Sequence, residues 1–233
     1  GIAQKKQLQV VRDQIKAGKE LTKAENTLRG LLADSAYKKN IKVWLLLCDA
    51  LIKQYDQGNE KLYLKQKYDT AAFFSLTRRL YDTMSRFDSL DAKPDTKGRI
   101  RAKYRTKHAA FLNSIRPNLF NGGTYFVHKK DYNTAFDYYA DYLLSANYPL
   151  FEGYDYMQHD ALIPHAAYWA MFCGYKLGDA DKIMRFKEQA ERDTSMLNFV
   201  RQYEAEAYLV KKDTAMYVKS LQAGFEQYPN FSF

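Results

Sequence analysis

The sequence predicts an all-α fold of antiparallel helix pairs, and three observations carry that expectation. Apolar residues recur at helical spacing through most of the 233 residues. Strand signals are scarce, and the five prolines and eleven glycines fall mostly between the helical patterns. One turn chemistry recurs between helical segments, as Lys129-Lys130-Asp131, Leu177-Gly178-Asp179 and Lys211-Lys212-Asp213. A tight turn between two amphipathic helices obliges them to pack against each other.

The clearest unit is 118–149. Leu119, Gly123 and Phe126 line one helix, and Tyr132, Ala135, Tyr139 and Leu143 line the face of a second. Lys129 and Lys130 stand at the negative end of the first helix dipole, while Asp131 can accept from the free amides that open the second. Gly122-Gly123 inside a helix would each cost about 1 kcal/mol relative to alanine, so a close backbone approach is expected there, with Ala135 as its partner.

In Gly123, Phe126, Asp131-Tyr132, Ala135, Tyr139 and Pro149 the chain resembles the tetratricopeptide repeat pattern: small residue, aromatic, turn, alanine, aromatic and closing proline. Asp179 and Asp213 lie one 34-residue period apart, and Pro229 closes the last unit. The longer interval from Asp131 to Asp179 is accommodated by an inserted loop over 146–160. The resemblance, to uncharacterised bacterial proteins of this type, implies a right-handed α-solenoid of roughly ten or eleven helices. It spans 1–233 as one domain, with irregular repeats over 1–90, a basic connecting helix over 95–116 and clearer repeats over 117–233.

Taken in order, residues 2–17 form a basic amphipathic helix with Leu8, Val11 and Ile15 inward, ended by Gly18. Thr22 and Glu25 have the spacing of a capping box for a helix carrying Ala24, Leu28, Leu31 and Leu32. Residues 36–55 form the next helix through Val43, Trp44, Leu47 and Leu51, followed by a polar connection over 57–67. A partner helix starts near Tyr68 and runs through Leu80, Met84 and Phe87; Pro94 and Gly98 break the pattern over 89–98. A helix beginning near His159 opens the next pair. The last pair covers 195–211 and 213–228, with Phe199, Tyr203, Ala207, Tyr217, Leu221 and Phe225 inward. The apolar ending Phe231-Ser232-Phe233 suggests further helices beyond it.

Two features bear on binding. His165, Trp169, Phe172 and Lys176 fall on one i, i+3/i+4 stripe. The repeat resemblance implies that first helices line a concave groove. Carried over position by position, that groove comprises Phe120, Asn121, Thr124 and His128, then Tyr168, Trp169, Phe172 and Lys176, then Gln202, Glu206 and Leu209. A peptide or partner protein would lie there. The second feature is the uninterrupted basic run Lys97, Arg99, Arg101, Lys103, Arg105 and Lys107, within a formal net charge of +9. Its length and the apolar period of Ile100, Tyr104, Phe111 and Ile115 favour a helix, either as a solvated basic face or as a contact for an anionic partner such as nucleic acid or an anionic glycan.

Chemistry finds little support. His108, His128, His159 and His165 lack the i, i+4 pairing with carboxylate support of a helical zinc site. Asp179 with Asp181 and Glu204 with Glu206 read as helix starts or exposed faces, without a neighbour that would tune one of them. No phosphate loop or nucleophile elbow is present. The expectation is a non-enzymatic scaffold without cofactor or metal. Cys48 and Cys173 sit in apolar helical patterns as small buried hydrophobes and fix no compartment. The first residue is Gly, which suggests processing, so the chain is cytoplasmic or exported after loss of a signal peptide. No apolar run is long enough to span a membrane.

Overall fold

The computed structural model describes residues 1–229. Phe231, Ser232 and Phe233 lie outside the described residues. Among the described residues all regular structure is helical, and no helix is long and apolar enough to cross a membrane. Where one domain is expected, the chain divides into two compact units, with the division between Arg116 and Pro117.

The first unit comprises α1 (Ile2–Ala17), α2 (Leu21–Leu32), α3 (Ile41–Tyr63), α4 (Thr70–Asp91) and α5 (Arg105–Ile115). Each helix packs on the next in sequence, and α1 also touches α3. Gly18 ends α1 at φ 66°, a conformation that costs glycine little. The expected capping box is absent. Helix α2 starts one residue before Thr22, after Glu20 at φ 55° with no side-chain cap. Glu25 is buried at 4% exposure: Gln54 on α3 and Arg79 on α4 draw its carboxylate inward, where a cap would keep it at the helix start.

Helix α3 begins later than expected, at Ile41, because Asn40 accepts a hydrogen bond from the Val43 amide. It then runs through much of the expected polar connection to Tyr63. The good helix formers Gln57, Glu60 and Lys61 sustain it, and Gly58 leaves room for the Tyr68 ring, which a Cβ would meet at 2.6 Å. Buried Trp44 donates its indole N–H to the Lys38 carbonyl at 3.0 Å.

The expected basic helix over 95–116 is helical only from Arg105. Asp95 accepts from the amides of Lys97 and Arg99, both at 2.9 Å, and Gly98 sits at φ 75°. This local turn competes with helix formation. Ile100, expected on the apolar stripe, is exposed. Helix α5 is fixed by the buried Tyr81 hydroxyl, which donates to the Leu112 carbonyl at 2.7 Å.

The second unit contains α6 (Pro117–His128), α7 (Tyr132–Ser145), the one-turn α8 (Tyr156–His159), α9 (Ile163–Leu177), the short α10 (Ala180–Met184) and α11 (Lys187–Ala190), then α12 (Leu197–Val210) and α13 (Thr214–Gln227). Two 3-10 turns, Pro149–Phe151 and Thr194–Met196, complete it. Helix α7 packs on α6 and α9; α9 packs on α10, α11 and α12; α12 packs on α13. Helices beyond the ten or eleven expected come from α8 in the inserted loop and from the division between α10 and α11. Helix α9 starts at Ile163, later than expected, with proline in its first turn.

Three turns share one geometry. Lys130 (φ 58°), Gly178 (φ 63°) and Lys212 (φ 59°) are left-handed. Each precedes an aspartate whose carboxylate accepts from the backbone three residues on: Asp131 from Thr134, Asp179 from Lys182, Asp213 from Met216. The aspartate amides return to the carbonyls of Phe126, Gly174 and Tyr208, which closes the preceding helix.

The glycine pair of α6 meets side chains, not the backbone around Ala135. A Cβ on Gly122 would meet the Tyr138 ring, and one on Gly123 the Tyr139 ring, each at 2.6 Å. Two successive tyrosines on α7 need two notches. On α13, Tyr217 and Leu221 are half-buried and Phe225 is 61% exposed, although all three are expected inward. Cys48 and Cys173 are buried free thiols, and burial raises both to about 12.

Candidate functional site

Helix α9 is the centre of the second unit, and almost all of it is covered. Ile163, Ala166, Ala167, Ala170, Met171 and Cys173 are buried, and Gly174 lets α10 approach until a Cβ there would meet the Ile183 amide nitrogen at 2.6 Å. The stripe expected from spacing reaches solvent, with His165 and Lys176 exposed and Trp169 and Phe172 half-buried; Pro164, Tyr175 and Leu177 are half-buried as well.

Phe172 is the hub of this stripe. The Trp169 ring lies edge-on at 5.3 Å, and the Lys176 ammonium stands over its face at 5.6 Å. From other helices come Tyr132 of α7 at 6.0 Å and Tyr203 of α12 at 6.3 Å. Tyr203 also contacts Tyr175 and Phe199. Three helices thus hold one aromatic surface, whose rings restrain each other and so lose little freedom on contact with a ligand.

At the other end of the stripe, His165 Nδ1 is 3.3 Å from Asp193 Oδ2. The Ser195 hydroxyl donates to Asp193 Oδ1 at 2.6 Å. The serine therefore bonds the carboxylate and not the imidazole, which is the wrong order for a nucleophile and its base. The Ser195 bond, against some burial and together with His165, keeps the Asp193 carboxyl below its ordinary value.

The other groove positions differ in character. Tyr168 is buried, with its hydroxyl 3.4 Å from that of Tyr203; burial, against that hydrogen bond, raises its pKa. On α6, Phe120 packs edge-on to Tyr139 and Tyr142 at 5.4 and 5.8 Å, and Thr124 Oγ1 lies 2.9 Å from the Tyr139 hydroxyl. Asn121 and His128 are exposed. Gln202 and Glu206 are half-buried and Leu209 is exposed. Tyr203, read from the sequence as inward, is buried beneath the stripe, and Tyr132, read as a packing residue, is half-buried beside it.

The six basic positions are unequal too. Arg105 forms two hydrogen bonds, 2.9 and 2.7 Å, with the buried carboxylate of Asp88. Arg99 pairs with Asp95 at 3.3 Å. Lys103 lies over the Tyr104 ring, and Lys97, Arg101 and Lys107 are exposed.

Two charged clusters were not legible. In the first unit, Glu25 accepts from Arg29 at 2.9 Å, Gln54 at 2.9 Å and Arg79 at 3.0 Å. Burial alone would raise its pKa, but the Gln54 amide and the two guanidinium groups outweigh that and lower it. This cluster borders a cleft of about 550 Å³ lined by Gln57, Lys61, Tyr68 and Arg79. In the second unit, Glu204 accepts from Arg201 and pairs with Lys187, both at 3.0 Å.

No known family model matches the chain, and neither a curated protein nor a solved structure matches it significantly.

Proposed function

We propose that the protein is a non-enzymatic interaction scaffold whose second unit, a right-handed TPR-like solenoid of antiparallel helix pairs, captures a peptide or partner protein along α9. One observation carries this reading: a partly exposed aromatic stripe runs along a largely covered helix, with Trp169 and Phe172 held by Tyr132 and Tyr203 and flanked by His165 and Lys176. Large, restrained rings are the residue type on which binding energy concentrates, and charged groups at either end of the stripe supply orientation. The repeated left-handed residue and aspartate cap at three turns support the repeat reading.

The test is capture of partners from the source organism by wild type and by the double variant Trp169→Ala/Phe172→Ala. Partner recovery should fall at least tenfold while circular dichroism remains helical. Equal recovery by both forms refutes the reading.

A second reading, an anionic partner for the first unit, is narrowed by geometry to Lys97, Arg101, Lys103 and Lys107, since Arg105 and Arg99 are engaged by Asp88 and Asp95. Its affinity for a polyanion should fall steeply with salt and vanish in Lys97→Glu/Arg101→Glu/Lys103→Glu. Unchanged binding by that variant removes it.

A further inference from the structure

The corner where α5 meets α4 holds a buried histidine. His108 is 6% exposed. Its ring stands edge-on to Phe87 of α4 at 5.3 Å and stacks on Tyr104 at 6.0 Å, and Phe87 and Tyr104 meet each other at 5.5 Å. His108 Nδ1 is buried and makes no hydrogen bond among the described residues. A neutral imidazole keeps its single proton on the other nitrogen and can leave Nδ1 bare, whereas an imidazolium carries a proton on both and needs an acceptor for each.

The carboxylates that face this ring from α4 are already engaged. Asp88 is buried, and its two oxygens accept from Arg105 at 2.9 and 2.7 Å. Asp91 Oδ2 accepts from the Tyr104 amide at 2.9 Å. On the helix of His108 itself, Lys107 is a like charge, and the attraction of Lys107 for the Asp49 carboxylate of α3 holds that side of the corner. Burial and then Lys107 lower the histidine's pKa from its ordinary 6.5, and the opposing pull of Asp91 and Asp88 does not restore it. These same contacts, the Tyr104 amide on Asp91 and Arg105 on Asp88, fasten the end of the basic segment to α4.

We propose that His108 is a proton-sensitive latch on the α4–α5 corner: in mildly acidic solution its ring takes up a second proton and leaves its berth between Phe87 and Tyr104, and the start of α5 loosens from α4 together with the basic segment before it. The folded state binds this proton less tightly than an unfolded chain does, so the corner is at full strength above about pH 6.5 and weakens as the pH falls below it. The segment gains a positive charge as it gains freedom. The latch depends neither on the α9 stripe nor on any polyanion. His108 is the only histidine in the first unit, and histidine is the side chain whose ordinary pKa lies in this range.

Hydrogen exchange on the full chain, read over 99–112 at about pH 7.5 and about pH 5.5 and corrected for the intrinsic pH dependence of exchange, tests the latch. Opening should rise roughly threefold to tenfold on acidification, about tenfold being the ceiling that one proton with an unfolded pKa near 6.5 supplies at about pH 5.5. His108→Phe keeps a ring that cannot take a charge and should abolish the rise, while His159→Gln, at an exposed histidine of the second unit, should retain it. NMR titration of the His108 ring in the wild type needs no variant, and its midpoint should fall below 6.5. A midpoint at or above that value, protection over 99–112 that does not change with pH in the wild type, or an equal rise in folded His108→Phe would each overturn the proposal.

Discussion

In the first unit, the carboxylate of Glu25 on α2 gathers Arg29 from its own helix, Gln54 from α3 and Arg79 from α4. A second buried carboxylate, Asp88 of α4, holds Arg105 at the start of α5. The second unit has its own charged contact, Lys187 with Glu204, but its helices meet mainly through rings and notches: Tyr138 and Tyr139 against Gly122 and Gly123, α10 against Gly174, and Tyr203 among Tyr168, Phe172, Tyr175 and Phe199. Long helices such as α3, with 23 residues, can bring distant side chains to a shared charge. The shorter helices of the second unit depend on close approach. Charge pairing tolerates small shifts but answers to pH; interlocked rings ignore pH but tolerate no added volume.

The largest effect should come from that intolerance. In Gly174→Ala the new methyl meets backbone atoms of Lys182 and Ile183 that cannot rotate aside, so a loss of about 3 kcal/mol is expected. Thermal denaturation measures it, and hydrogen exchange should show the loss around α9 and not α3. A smaller effect follows from Glu25→Gln, about 2 kcal/mol. Removing one partner of a buried ion pair costs 3–5 kcal/mol in general, discounted here because Arg29 and Arg79 are a third exposed and reach water.

The same residue gives the pH dependence its sign. Because the folded pKa of Glu25 lies below the ordinary 4.5, its contribution is fully present above about pH 4.5 and is lost as pH falls through the lowered value. Acid denaturation followed by hydrogen exchange should expose α2 to α4 before α9. Protection lost first around α9 would break the contrast between the units.

Turn substitutions should matter less. Asp131→Ala removes the side-chain acceptor for the Thr134 amide and should cost about 1 kcal/mol in a chemical denaturation experiment. Lys130→Gly should stabilise by about 0.5 kcal/mol, because glycine occupies the left-handed region without the steric cost borne by lysine. A destabilised Lys130→Gly would show that the lysine side chain does more at that turn than its conformation requires.

Much of this was legible because it is local. The turn at Asp131 can be read from a few adjacent residues, since a cap acts over three positions, and the α9 stripe follows from helical periodicity alone. Thr22 and Glu25 show where local reading fails: the spacing of a capping box is present, yet donors on α3 and α4 claim the carboxylate. The helix expected over the basic run is absent from its first half for a similar reason, because Asp95 claims the Lys97 and Arg99 amides in a turn, while Asp88 engages Arg105. Phe225 had the right period to be inward but no neighbouring helix to cover it among the described residues.

By itself, then, the amino-acid order determined that the chain is helical, where several of its turns fall, and which face of α9 carries Trp169 and Phe172, since these depend on interactions within a few residues. Only the tertiary structure decided which tyrosines join that face, which charges are consumed by Glu25 and Asp88, and what the glycines accommodate. Those outcomes rest on contacts between different helices, from Gly174 against Ile183, 9 positions on, to Glu25 with Arg79, 54 positions on, and no short-range pattern specifies which partner arrives.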